Sequence, residues 1–143
     1  MQNVFDAKDA QEYINRINNL TPETQRKWGK MSVDQVLAHL NVAYDLTFTP
    51  EKFPKPSFIA KFLLSRFVKP KITNEIPYKQ SLPTSPAFII ADERNFEEEK
   101  AKLIGNIQRV QQLGKEAFEG KENINFGKMT AQCWNNMFAK HLN

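Results

Sequence analysis

The sequence predicts an all-α fold: a four-helix bundle with a long crossover between helices 2 and 3, forming a single domain over residues 1–143. Three observations predict it. Four segments carry apolar residues at three- and four-residue spacing behind capping residues, the mark of amphipathic helices. No stretch shows the strict apolar–polar alternation of a half-buried strand. Seven of the eight prolines fall between Thr49 and Ala91, where they interrupt the connection between the second and third helices. At 143 residues, 41% hydrophobic and 25% charged, the chain has the length and composition for one ordinary core.

The first helix is predicted over 6–19, with Asp6 as its cap and Ala10, Tyr13, Ile14 and Ile17 on one face. Thr21-Pro22 and Gly29 then break the pattern. Ser32 caps a second helix over 32–48, whose wide apolar face includes Val36, Leu37, Leu40, Ala43 and Tyr44. Between Pro56 and Pro70, "SFIAKFLLSRFV" predicts a short helix within 57–68, too short to cross a bilayer. The favoured reading is a lid packed over the bundle rather than an amphipathic basic anchor on a membrane surface. "KITNEIPYKQSLPTSPAFII" reads as extended crossover.

The third helix spans 94–118. Glu97, Glu98 and Glu99 suit the positive end of its dipole, and Phe96, Leu103, Ile107, Val110 and Leu113 keep helical spacing. Gly105 inside it costs about 1 kcal/mol relative to alanine and reads as a point of close packing. "EGKENINFGKM" reads as a loop, and Thr130 caps the fourth helix, from 130 onward. Short first and last connections make helices 1–2 and 3–4 antiparallel neighbours.

The net charge of +4, from 20 basic and 16 acidic residues, reads as spread along the chain, which argues against a nucleic-acid partner. The single cysteine, Cys133, excludes an internal disulfide framework and a cysteine-built zinc site. No basic-then-apolar leader begins the sequence and no apolar run approaches the ~20 residues of a membrane span. These features read as a cytoplasmic protein with no membrane partner, and they admit a homodimer.

The two histidines stand on matching helices. "WGKMS" opens the helix carrying His39, and "FGKMT" opens the one carrying His141. His39 lies seven residues after Ser32 and His141 eleven after Thr130. At ~100° per residue these offsets agree to about 40°. Val36, Leu37, Leu40 and Ala43 put His39 at the core stripe. Trp134, Met137 and Phe138 mark the face of His141 as buried and line the expected pocket. Two readings stand: each histidine is a core-edge side chain satisfied by a neighbour, or the pair are ligands of one metal built between helices. Imidazole suits zinc, nickel or iron, while a catalytic zinc takes three protein ligands. The i+4 partner of His141 would fall at position 145, past Asn143. Asp34 and Asp45 could orient His39 from behind, or simply solvate a helix face. Cys133, eight residues before His141, is about 80° round the helix, too far for a Cys–His pair.

"WGKMSVDQVLAHL", the crossover "KITNEIPYKQSLPTSPAFIIADERNFEEEKAKL" and "NFGKMTAQCWNNMFAKHLN" together resemble a domain-of-unknown-function branch of the DinB/YfiT-like superfamily, from about Trp28 to the end. The resemblance implies a four-helix bundle with a three-histidine metal site. One ligand comes from helix 2, matching His39, and two come from the last helix in H-x-x-x-H spacing, the first matching His141. It also implies a metal-dependent enzyme, a thiol-dependent transferase, isomerase or hydrolase. Its cofactor would be a divalent transition metal, zinc or nickel, and its partners a small-molecule substrate and a low-molecular-weight thiol. No catalytic side chain is identified beyond the ligands: Gly-x-Ser-x-Gly and a phosphate-cradling glycine loop are both absent from the sequence. The competing class is a metal-free binding or structural helical module.

Overall fold

The computed structural model describes residues 1–80 and 84–143. The chain is mostly helical, and its four long helices form where the apolar spacing places them. In α1, Ala7–Asn18, the Asp6 carboxylate accepts from the amides of Lys8 and Asp9, and Ala10, Tyr13, Ile14 and Ile17 are buried. α2, Val33–Phe48, starts with the Gln35 side chain accepting from the Ser32 amide, and it buries Leu37, Ala43 and Tyr44. A single 3-10 turn, Pro50–Lys52, follows it.

The next helical segment runs further than the expected short helix and lies against the last helix. α3, Phe58–Leu63, runs through a π turn, Leu64–Val68, into α4, Lys69–Thr73, and none of these residues is buried. Pro70 does not stop the chain: it is the second residue of α4, directly after the π turn, and the helical path continues through it to Thr73. The expected extended crossover contains a 3-10 turn at Pro86–Phe88. Its residues 81–83 lie outside the described residues.

α5, Phe96–Phe118, is capped by Asn95, whose side chain accepts from the Glu98 amide. Gly114, at φ 76° and ψ 166°, breaks the helical path inside it. Leu113, just before the break, is 48% exposed, and Phe118, beyond it, is in the core. The 119–129 connection is more ordered than the expected loop. An antiparallel hairpin pairs β1, Glu122–Asn123, with β2, Gly127–Lys128. The Asn123 side chain accepts from the amides of Asn125 and Phe126, and Gly127 takes the left-handed conformation (φ 69°) that closes the turn. α6, Ala131–Leu142, is capped by Thr130, which accepts from the Cys133 amide.

α5 packs against α1, α2 and α6, and α2 also meets α6. Between them, Tyr44 stacks on Phe138 (centroids 4.8 Å apart, 7°), and Phe118 sits edge-on to both Trp134 and Phe138. The Trp134 indole N–H donates to the Lys121 carbonyl across the hairpin. Buried Asn41 is fully engaged: it donates to the carbonyl and carboxylate of Glu99 and accepts from Asn106. No described helix is long and apolar enough to cross a membrane.

Gly105 has no atom within 4 Å of where a Cβ would stand, so it is not the expected point of close packing. Gly105→Ala should raise stability by about 0.5–1 kcal/mol through helix propensity and a stiffer unfolded chain. Gly114→Ala should lower it by more than that, because its φ is left-handed. Urea unfolding of the two variants checks the pair; shifts of the same sign would contradict this account of α5.

Candidate functional site

The structure brings the two histidines together. His39 projects from the middle of α2 and His141 from the last turn of α6, and their rings stack with centroids 4.9 Å apart and 18° between planes. The third member of the cluster is Phe88, from the 3-10 turn before α5. Its ring stands 5.5 Å from His39 and 5.3 Å from His141.

Phe88 also sets the state of His39. Its backbone carbonyl lies 2.7 Å from His39 Nδ1. A carbonyl can only accept, so Nδ1 carries the proton, and in the neutral ring Nε2 keeps a bare lone pair. This is the orienting bond that metal-binding histidines receive from a carboxylate or carbonyl. Asp34 and Asp45 do not supply it. Asp34 is occupied by the Ser32 hydroxyl and the Arg94 amide, which hold its carboxyl below the usual range. Asp45 pairs with Lys102 at 2.9 Å. A backbone contact leaves no side-chain signature, so the only sequence signal for Phe88 is the Pro86 turn that presents it.

His141 is the electrostatic anomaly. Its Nε2 is fully enclosed and, among the described residues, is the one buried side-chain nitrogen or oxygen without a hydrogen-bond partner. Burial drives its pKa down to about 4, the charge of His39 adds to this, and a backbone hydrogen bond with His39 opposes it. The ring is therefore neutral at pH 7. Leaving such a nitrogen unmet costs about 1–3 kcal/mol, and a lone pair in that position is what a metal ion or a donor group would satisfy.

The residues expected to line a pocket around His141 are buried or half-buried. Trp134 and Phe138 belong to the aromatic core, with 0% and 1% of their surface exposed. Met137 is half-buried, its sulfur 4.0 Å from Asn123 Nδ2. A cavity of about 170 Å³ is lined by Leu40 and Leu142, which follow the histidines in sequence, with Tyr13, Arg16, Ile17 and Val36 among the other walls; neither histidine lines it. Among the described residues, no group of three His, Cys, Asp or Glu side chains is placed to hold a metal ion. The side chain before His141 is turned elsewhere: Lys140 donates to the Lys71 carbonyl at 2.6 Å and to the Asn74 side chain at 2.8 Å.

The burial of His141 sets a pH dependence. The folded value of about 4 lies below the unfolded value of about 6.5. Between them the unfolded chain binds more protons, so this stabilisation is complete above about pH 6.5 and is lost as pH falls towards 4. The slope is at most about 1.4 kcal/mol per pH unit. Urea midpoints should fall more steeply across this window for the wild type than for His141→Leu, and equal slopes would contradict the enclosure of Nε2. No protein-family model, curated protein or solved structure matches the chain.

Proposed function

We propose that the chain is a DinB/YfiT-like four-helix bundle in which His39 and His141 supply two nitrogen ligands to a divalent transition metal, zinc or nickel, at the centre of a thiol-dependent transferase or hydrolase. The observation that carries the reading is the unmet, enclosed Nε2 of His141 beside a histidine whose tautomer is already set for ligation. The packing of α5 against α1, α2 and α6 supports the bundle, and the two donors fit in type, since neutral imidazole nitrogen suits these metals. In number they fall one short of a catalytic zinc site. A histidine at position 145, one turn past His141, would stand on the same face.

The chain's own residues would do four things. The Phe88 carbonyl holds His39 by its Nδ1 proton, leaving Nε2 to bind. Burial keeps His141 unprotonated well below neutral pH, so no proton competes for its lone pair. The Phe88 ring covers both imidazoles and excludes water from that side. Leu40 and Leu142, each one residue past a histidine, line a small recess, with Arg16 at its wall, that would take a substrate. A bound metal would lower the pKa of a thiol or water and so provide the nucleophile.

A second reading has its own support. Two imidazoles stacked on each other and covered by Phe88 are also an aromatic cluster that needs no metal, as in a binding or structural module. Calorimetric titration with zinc and nickel separates the two. The 143-residue chain should bind weakly, and both His39→Ala and His141→Ala should lose the site. Extending α6 by one turn, with a histidine at position 145, should tighten binding at least tenfold toward one equivalent of metal. If neither chain shows binding that depends on His39, the metal-free module replaces the metalloenzyme.

A further inference from the structure

The segment Phe58–Thr73 is helical throughout yet buries no side chain. It is fastened to the body by polar bonds. Lys61 pairs with Glu122 of the hairpin at 2.8 Å, Lys69 donates to the Lys128 carbonyl, and Asn136 and Lys140 of α6 donate to the carbonyls of Thr73 and Lys71. Its outer side carries Phe58, Ile59, Phe62, Leu63, Phe67 and Val68, between 37% and 88% exposed. The first four fall within an arc of about 140° at 100° per residue. The wider π turn then rotates the chain less per residue and keeps Phe67 beside Leu63. A contiguous apolar face of this kind marks an interaction site in a folded protein.

Charge is concentrated at the same place. Six cations and no carboxylate lie between Lys52 and Asn74. The whole chain has a net charge of +4, so everything outside this stretch carries a net −2. The composition reads as evenly spread charge; the position of these residues in the fold shows otherwise. Lys52, Lys55, Arg66 and Lys71 are exposed and form no ion pair among the described residues.

We propose that Phe58–Thr73 docks on an anionic lipid bilayer. The helix lies in the plane of the interface, with Phe58, Ile59, Phe62, Leu63 and Phe67 among the upper acyl chains and the surrounding cations on lipid phosphates. A membrane supplies both complements together, an apolar interior beneath a dense layer of negative charge. A second copy of the chain supplies only one of them. Two such faces in contact would set six cations against six, with no carboxylate in the segment to pair them.

The test is co-sedimentation of the full chain with phosphatidylcholine vesicles made with and without phosphatidylserine. Partitioning onto the phosphatidylserine vesicles should be at least tenfold stronger and should fall with added salt. Phe58→Asp and Phe62→Asp alter exposed positions, so far-UV circular dichroism should be unchanged while partitioning falls more than tenfold. Lys55→Glu with Lys71→Glu should lower it by at least about fivefold per cation removed. His39→Ala should bind vesicles as the wild type does, which keeps this proposal independent of the metal reading. Failure to sediment with phosphatidylserine vesicles, equal binding to phosphatidylcholine alone, or indifference to Phe58→Asp overturns the proposal. So does a lipid-free dimer that Phe62→Asp converts to monomer, because a second copy would then occupy the face.

Discussion

The stacking of Tyr44 on Phe138 is the contact from which the interior takes its register. It joins α2 to α6, and Phe118 and Trp134 close around it from α5 and from the same turn region of α6. His39 lies five residues before Tyr44, and His141 three residues after Phe138. At a rise of about 1.5 Å per residue, the two histidines travel the same way along antiparallel helices and arrive side by side. A slip of one turn between α2 and α6 would separate the imidazoles and also unstack Tyr44 from Phe138. The geometry of the candidate site is thus inherited from an aromatic core several ångströms away.

A second, polar constraint fixes the register of α2 against α5. Apolar side chains tolerate sliding, because oil against oil is nearly indifferent to position. Buried Asn41 does not. It is satisfied only where Glu99 and Asn106 of α5 stand opposite it, and a shifted helix would strand an amide in the core. Polar bonds also fasten α3 and α4, but with no fully buried side chain among them. That distinction separates the interior, where polar groups specify a packing that burial drives, from the outer segment, where they hold a helix whose apolar side is left outward.

What could be read from the sequence was local in origin. Asp6, Ser32 and Thr130 mark helix starts because a cap acts on amides two or three residues away. The stripe of Tyr13, Ile14 and Ile17 betrays its burial because periodicity is a property of one segment. The proximity of His39 and His141 was legible only because two helices open with the same phrase. The break at Gly114 was not, since a glycine in a helical pattern looks the same whether its φ is negative or, as here, 76°. The hairpin depends on Asn123 folding back on the amides after it, in a stretch too short to alternate. Phe88 acts on His39 through a carbonyl every residue possesses, and Asp34 and Asp45 are drawn off by Arg94 and Lys102, partners far from them in sequence, with the capping Ser32 also bonded to Asp34.

The burial of Trp134 divides the protein's intrinsic fluorescence into two unlike sources. Its indole has no exposed surface and its N–H is bonded to Lys121, whereas Trp28, the other tryptophan, is 55% exposed. An aqueous quencher such as iodide therefore reaches Trp28 and spares Trp134 while the fold is intact. The emission that shifts on unfolding comes from Trp134. Because that ring is held by the hairpin on one side and by Phe118 and Phe138 on the other, its signal follows the parting of α6 from the core. The chain thus carries an optical reporter on the helix that bears His141, with no label added.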